Sequence, residues 1–499
     1  MKDNLETMMK NPVLGQKNDE ATTSESPAIP PNLWELTKKL KIPVHVGLFG
    51  HIDHGKTAIA ARLSEKISTA GLDKHPQARE RGITIDIGFT AFELKEYLAV
   101  LVDAPGHADL ISNVVAAANI IDAAILVIAA DEGAMIQTGE HILILESFSL
   151  NLVIALNKID LVDQQKLEKT IENIKNILKN TKFQDAKIIP TSAQTGEGIQ
   201  ELKEAIYSII IPPNRETEGP FRMPIDHAFP IKGAGTVLTG TIHRGKIAIG
   251  DKIEIAPIGL TGKVKSIQSF KENLAMASAG DRVGMAIPGI DSKKIYRGCY
   301  ATPPGILVKT NSIIIKGEIN SLFKGVLTPK MQVHITVGMP TVPGIIYPYE
   351  IQADRNILIN RVDPGNEFFA YVVLNEQVAV EAGDPVIISR LDLPPTTLRI
   401  VGNGNIIDPA PKQVEFYREQ KKEGKVRIPI HKRGSIVDDL VQTREGAQKM
   451  VGAKVITESG IEGTIISSFG TKSSLIIKFK ETPEEEERVY LKRYREVKL

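Results

Sequence analysis

Gly50-His51-Ile52-Asp53-His54-Gly55-Lys56-Thr57 follows an apolar run, His45–Phe49, and leads into Ala58–Ile67, where Ile59, Leu63 and Ile67 recur at i, i+4 and i+8. An apolar run, a loop with glycines at both ends and a helical period, in that order, predict a strand, a turn and a helix. In that setting the pattern G-x-x-x-x-G-K-[ST] is a phosphate-binding loop. Its glycines let backbone N–H groups turn inward around phosphates, adding to the positive end of the helix. Lys56 is spaced to reach β- and γ-phosphates, and the Thr57 hydroxyl to bind Mg²⁺.

Working outward, Leu98–Val102, Ala123–Ala129 and Leu152–Leu156 are further short apolar runs separated by helical segments, which implies a mostly parallel sheet covered by helices. Asp103-Ala104-Pro105-Gly106 ends one such strand; its carboxylate can hold Mg²⁺ through water, and the Gly106 N–H can sense a γ-phosphate. Asn157-Lys158-Ile159-Asp160 ends another. Asn157 can bond the guanine edge, while the Asp160 carboxylate accepts the ring N–H and exocyclic amine protons, donors that adenine lacks there. Ser192-Ala193, after the strand Lys187–Pro190, closes over the base. Four such elements at the strand ends of one sheet, where ligands of these folds bind, predict a GTP/GDP site with Mg²⁺.

The alternating pattern ends near Ile211, and Pro212–Pro220 reads as a linker. Beyond it the period changes to two. Gly235–Arg244, Lys252–Ala256 and Lys263–Phe270, with Gly-rich turns between, read as strands of a barrel or sandwich, and Pro303–Gly305 divides two such units. Asn405–Gly424, polar and Pro-containing, reads as the connection to a last β-rich piece; from residue 408 onward there are 19 Lys/Arg against 15 Asp/Glu. The expected architecture is multidomain. A P-loop α/β GTPase domain spans 44–211, β-barrels span 221–304 and 305–407, and a small β-rich C-terminal domain spans 408–499. Residues 1–43 read as a disordered or loosely docked leader anchored by Trp34.

Composition adds bounds. The chain of 499 residues is 42% hydrophobic and 24% charged, ordinary for a protein with buried cores. A net charge of +1 means that any nucleic-acid surface is local. A single cysteine, Cys299, excludes an internal disulfide and a four-cysteine zinc site, fits a reducing cytoplasm and reads as a small core residue. No run of about 20 apolar residues is present, so no membrane-spanning helix is expected. Glu484–Glu487 reads as a solvated hairpin tip. Lys492, Arg493, Arg495 and Lys498 read equally as solvated charge or as ligands for rRNA or tRNA phosphates.

GHIDHGKT, RGITI (Arg81–Ile85) and DAPGH (Asp103–His107) together resemble the translational GTPases. The resemblance implies that Thr84 in switch I binds Mg²⁺ when γ-phosphate is present, and that His107 orients the attacking water. It also implies that Ile52 and Ile83 form an apolar gate holding His107 away until the ribosome docks. Loss of the γ-phosphate contacts is then expected to release the domains from one another. General aminoacyl-tRNA elongation factors, initiation-factor gamma subunits, sulfate-activating GTPase subunits and ribosome-rescue factors share these motifs. The gamma subunits usually carry a four-cysteine zinc knuckle, and the sulfate-activating subunit ends after the second β domain, about ninety residues before this chain does.

RGITIDIGF (Arg81–Phe89), MPIDHAFPIKGAGTV (Met223–Val237), GDRVGMAI (Gly280–Ile287) and RLDLPPTTLRI (Arg390–Ile400) resemble the selenocysteine-specific elongation factors of archaeal and eukaryotic type, over Val44 to Leu499. The resemblance implies selenocysteinyl-tRNA and the ribosome as partners, and a monomeric carrier. A protein that binds the recoding RNA hairpin, or the hairpin itself, is a further partner. By the same resemblance the selenocysteine pocket falls on Asp226, His227 and Arg282. A selenol is largely ionised near pH 7, whereas a thiol ionises at about 8.5 and serine stays neutral, so positive donors suit such a pocket. Arg282 supplies fixed charge; Asp226 either orients His227 or holds the aminoacyl end. A general elongation factor and a sulfate-activating GTPase subunit remain the alternatives.

Overall fold

Ile42–Phe49 forms strand β1, and its last six residues are all buried. The computed structural model describes residues 41–64, 66–67, 88–104, 111–118, 120–179, 181–211, 215–270, 272–352, 354–470 and 474–499. The leader with Trp34, and the switch residues Ile83, Thr84, Gly106 and His107, lie outside them. In the first domain α1 (Lys56–Leu63) follows β1, then β2 (Lys66–Ile67), β3 (Gly88–Leu94), β4 (Tyr97–Asp103), α2 (Ile111–Ala118) and β5 (Ala123–Ala129). There follow α3 (Ile136–Ser147), β6 (Asn151–Asn157), α4 (Gln164–Leu178), β7 (Ile188–Pro190) and α5 (Ile199–Ile209). Among the described residues these strands make one sheet in the order β2-β3-β4-β1-β5-β6-β7.

The central pairs are parallel, with Val46 opposite Ala123 and Ala129 opposite Asn157. All seven residues of β5 are buried, because helices cover both faces and leave no side of the strand to solvent. On one face Ile59 and Leu63 of α1 and Leu202 and Ile206 of α5 pack against Val46 and Leu48. On the other, α2, α3 and α4 pack with Met339, Ile387 and Ile400 of the third domain, so two domains share that core. The expected helix Ala58–Ile67 is shorter than its period suggested. Ser64 turns to extended backbone, its Oγ 2.5 Å from the Ala60 carbonyl and 2.6 Å from Thr90 Oγ1. Lys66 and Ile67 then pair with Ala91 and Thr90, since an open sheet edge offers them hydrogen bonds that a frayed helix end does not.

In the second domain, strand Gly235–Thr241 lies between His227–Ile231 and Arg282–Ile287. A second small sheet of Leu260–Lys263, Lys252–Ala256, Tyr300–Thr302 and Met223–Pro224 closes over the same core, in which Cys299 is fully buried. The third domain is a closed ring of Met331–Val337, Pro385–Ser389, Ile400–Asp408, Val308–Ile319, Glu367–Val380 and Thr341–Gln352. The last domain is another ring, of Phe416–Ile428, Ser435–Asp438, Ser474–Phe479, Glu462–Phe469, Lys454–Thr457 and Arg488–Val497.

Of Asn405–Gly424, only residues 409–415 therefore connect. Asn405 to Asp408 finish one strand, and Phe416–Ile428 is a 13-residue strand paired from Phe416↔Val497 to Lys425↔Arg488. Its polarity misleads because most of its side chains face water while its backbone is fully laddered. Asn356 and Ile357 pair in parallel with Phe416 and Tyr417, so the two rings share one continuous sheet. Glu484 to Glu486 are exposed as expected, but Glu487 is half-buried and accepts from Ser459 N (3.0 Å), Ser459 Oγ (2.6 Å) and Glu484 N (3.0 Å). Burial opposes its charge, yet these bonds hold its carboxyl down at about 2.

Candidate functional site

The loop after β1 is glycine-dependent at two places. Gly50 has φ 134, and a Cβ there would lie 2.2 Å from the Val127 carbonyl oxygen of β5. Gly55 has φ 90, and its Cβ would lie 2.3 Å from Asn157 Nδ2. No other residue fits this close approach of backbone to its neighbours. The Gly50 N–H donates to His141 Nδ1 of α3 at 2.9 Å. An accepting Nδ1 requires an uncharged ring, and burial followed by the Lys56 cation pushes the His141 pKa down to about 3. His54 is also buried, with Nδ1 3.3 Å from the Val127 carbonyl; burial lowers its pKa to about 4. His51 meets it edge-on, with ring centroids 5.2 Å apart. The sequence assigns no task to His51, His54 or His141, because a ring that props a loop leaves no motif.

Lys56 is buried, and its Nζ donates to the His51 carbonyl at 2.8 Å across the loop. Thr57 Oγ1 donates to Asp103 Oδ2 at 2.9 Å, at the buried end of β4. A hydroxyl and a carboxylate oxygen side by side are the hard donors that a magnesium ion takes. Ile52 is half-buried in the loop and Asp53 exposed at φ 63.

Asn157 is buried and its amide is used at both ends. Nδ2 donates to the His54 carbonyl at 3.0 Å, and Oδ1 accepts the Ala193 N–H at 3.0 Å. It thus ties the phosphate loop to the loop after β7, a tether that the linear motif does not reveal. Arg62 of α1 caps the Ala193 and Gln194 carbonyls at 2.6 Å each, and Ser192 Oγ accepts from the Thr195 N–H at 3.1 Å. Lys158 takes left-handed backbone at φ 64, with Nζ 3.6 Å from Glu132, while Asp160 stays exposed.

A second cluster forms where the second domain meets the first. Register sets it: Thr239 lies opposite His227, and Thr241 opposite Arg282. Asp226 Oδ2 accepts from Arg282 NH1 at 2.6 Å, and Asp226 Oδ1 accepts from His227 Nδ1 at 2.8 Å and Thr239 Oγ1 at 2.5 Å. The Asp226 and Arg282 side chains are 1% and 5% exposed, His227 28%. Burial alone would raise the Asp226 pKa, but the Arg282 charge and the His227 bond outweigh it and hold the carboxyl far below the usual range. The Arg282 guanidinium lies 3.1 Å above the ring of Phe89 in β3. The sequence did not point to Phe89 or Thr239; only the docking of β3 on the second domain brings Phe89 here.

Three family models match in succession: the elongation factor Tu GTP binding domain over residues 41–212, elongation factor Tu domain 2 over 235–302, and domain III of the archaeal selenocysteine-specific elongation factor over 307–409. A selenocysteine-specific elongation factor of Methanocaldococcus jannaschii is 45% identical over 91% of this chain and 97% of its own length. One from Mus musculus is 34% identical over 86% of this chain and 87% of its own. The crystal structure of the translation elongation factor SelB from Methanococcus maripaludis with the GTP analogue GppNHp superposes with a TM-score of 0.79 at 44% identity, covering 91% of this chain and 98% of that one. With a GTP-binding α/β domain, an elongation factor Tu domain 2, a β-barrel and a β-rich C-terminal region in one chain, the protein belongs to the archaeal-type selenocysteine-specific elongation factors, which are translational GTPases.

Proposed function

We propose that the chain carries selenocysteinyl-tRNA to ribosomes paused at a recoded UGA codon and releases it after GTP hydrolysis. The observation that carries this reading is the Asp226–Arg282 pair, buried beneath Phe89, with His227 at its open side. Asp226 has its carboxylate committed to Arg282, His227 and Thr239, so it acts by orientation. His227, the exposed member, is the donor to the aminoacyl side chain, and Arg282 supplies the positive potential behind it. Phe89 keeps water from that charge, which strengthens its hold on a selenolate. One charge-assisted hydrogen bond contributes roughly 1.5–3 kcal/mol, about 10- to 150-fold over serine.

In the first domain, N–H groups from His51 to Thr57 cradle the phosphates beside Gly50, whose own N–H is held by His141, and Lys56 turns to the β- and γ-phosphate oxygens. Asp160 reads the guanine, with Lys158, Ser192 and Ala193 around it and Asn157 tying together the loops that frame it. Thr57 and Thr84 would hold magnesium directly and Asp103 through water. The ion, when bound, neutralises charge that develops on the β- and γ-oxygens. Gly106 meets the γ-phosphate, His107 orients the water, and Ile52 with Ile83 gates that histidine.

Filter binding with selenocysteinyl-, seryl- and other aminoacyl-tRNAs in the presence of a GTP analogue tests the reading. Retention of the selenocysteinyl form alone is expected. Equal retention of the seryl form would remove the specificity, and retention of none would remove the carrier role.

A further inference from the structure

Arg282 is held at three places. Its backbone is laddered against Thr241, and its carbonyl accepts the Ser269 hydroxyl at 2.8 Å. One edge of its guanidinium donates to Asp226, with NH1 2.6 Å from Oδ2 and NH2 3.3 Å from Oδ1. The flat face remains, and it lies on the ring of Phe89, 3.1 Å from the centroid. The first two holds come from the second domain, the third from the GTP-binding domain. Phe89 is fully buried in the core of that domain. Gly88, just before it, pairs with Asp103, whose carboxylate takes the Thr57 hydroxyl, so the ring stands on the strand pair beside the phosphate loop.

A second arginine shows what this arrangement avoids. Arg222 also lies over an aromatic ring, that of Tyr300 at 4.5 Å, but its guanidinium reaches the third domain and bonds both Glu381 and Asp384. Arg244 joins Glu381 at 2.9 Å, which sets two cations against two carboxylates. That junction is neutral and serves to hold two domains together. At Arg282 the neighbouring domain supplies no carboxylate. Among the described residues Asp226 is the one acid bonded to this guanidinium, and it is shared with His227. An aromatic face fixes a guanidinium by stacking and leaves its charge uncancelled. Phe270, the residue after Ser269, braces the contact: it packs against the same core as Phe89 and holds left-handed backbone at φ 45. A bulky residue keeps such backbone only where its surroundings over-determine it.

We infer that Phe89 is a specificity-determining residue for selenocysteine, a positioning residue that holds the Arg282 guanidinium flat and uncancelled behind His227. The inference rests on the carrier reading and deepens it, since it puts part of the selenocysteine pocket in the GTP-binding domain. A selenolate gains from a positive potential and a neutral serine hydroxyl does not. Whatever lets the guanidinium tilt, or admits water beside it, therefore lowers the preference for selenocysteine without removing the contacts to the tRNA. An aliphatic side chain at residue 89 fills most of the space but offers no face to a cation.

The test uses the full chain with Phe89→Leu, Phe89→Tyr, Arg282→Lys, and Phe89→Leu combined with Arg282→Lys. Affinities for the selenocysteinyl and seryl forms of one tRNA are measured with a GTP analogue, and their ratio is the readout. Thermal denaturation and titration with the GTP analogue give the folded fraction of each variant. Phe89→Leu should lower the ratio by about 5- to 30-fold, the size of a desolvated contact between a ring and a cation, and the loss should lie in the selenocysteinyl form. Phe89→Tyr keeps the face and should retain most of the ratio. With Arg282→Lys already present, Phe89→Leu should cost little further, because an ammonium has no plane to stack. Equal losses for both tRNA forms would make Phe89 a core residue only and overturn the inference. Independent losses in the double variant, or a folded Tyr variant that discriminates no better than the Leu variant, would overturn it too. Phe89→Met replaces the Leu variant if that does not fold. A wild-type chain without preference removes the specificity reading and the inference with it. A preference that survives Phe89→Leu in full removes the inference alone.

Discussion

Arg399 of the third domain closes a two-pronged ion pair on Glu140 of α3, with Nε 2.9 Å from Oε1 and NH2 2.8 Å from Oε2. The Arg399 backbone N–H adds a third bond at 3.1 Å, and the side chains are 3% and 0% exposed. The next residue of α3, His141, accepts the N–H of Gly50. One helix thus touches the phosphate loop and the third domain through adjacent residues. Removing one partner leaves a buried charge uncompensated, so Arg399→Ala should lower stability by about 3–5 kcal/mol. Denaturant titration reads this, and Glu140→Gln combined with Arg399→Met should recover much of the loss. Additive losses in the double variant would show that the two residues do not act as a pair.

The buried histidines set a pH dependence. His141 and His54 have folded pKa values near 3 and 4, below the ordinary 6.5. As pH falls through 6.5 the unfolded chain takes up their protons and the folded chain does not. Their stabilising contribution is therefore complete above about pH 6.5 and is lost progressively towards pH 4 for His54 and pH 3 for His141. Each ring costs up to about 1.4 kcal/mol per pH unit in that window. Urea midpoints between pH 7.5 and 5 should fall, and His141→Gln should flatten the fall by one proton's share. An unaltered pH slope in that variant would assign the dependence to other groups.

Asn157 and Asp160 separate tethering from reading. Asn157→Ala should weaken GTP and GDP alike and also lower thermal stability, since it unpairs the His54 carbonyl and the Ala193 N–H. Asp160→Asn should leave stability within about 0.5 kcal/mol, being an exposed substitution, yet cost about 100-fold or more in GTP affinity. It should shift preference towards a xanthine nucleotide, whose 2-oxo group accepts from the new amide. Fluorescent-nucleotide titration decides; retained guanine preference would move the reading role to another residue.

At the second cluster, His227→Ala is the cleaner probe because its ring is 28% exposed and its loss leaves the Asp226–Arg282 pair intact. It should reduce preference for selenocysteinyl- over seryl-tRNA by about 10- to 150-fold. Arg282→Ala should abolish the preference too, but it also strands a buried carboxylate, so its folded fraction must be measured alongside. A His227→Ala variant that still discriminates fully would place the contact elsewhere.

His107→Ala should leave GTP affinity unchanged and nearly abolish ribosome-stimulated turnover. Unchanged stimulation in a single-turnover assay would reject the water-orienting role.

Spacing alone determined the GTPase domain of this protein. A phosphate loop, the aspartate beside it and a guanine motif must each sit at a strand end, and buried parallel strands announce themselves as continuous apolar runs. Cys299 and the two-residue period after Gly235 were equally legible, because burial and pleat are local properties. Packing decided the rest. The Asn157 tether, the His141 prop and the Glu140–Arg399 pair join residues 36 to 259 positions apart, and no local pattern records such a meeting. Phe89 met Arg282 only through the docking of two domains. The polar strand Phe416–Ile428 looked like a connection because its order comes from the partner ladder, not from its own side chains.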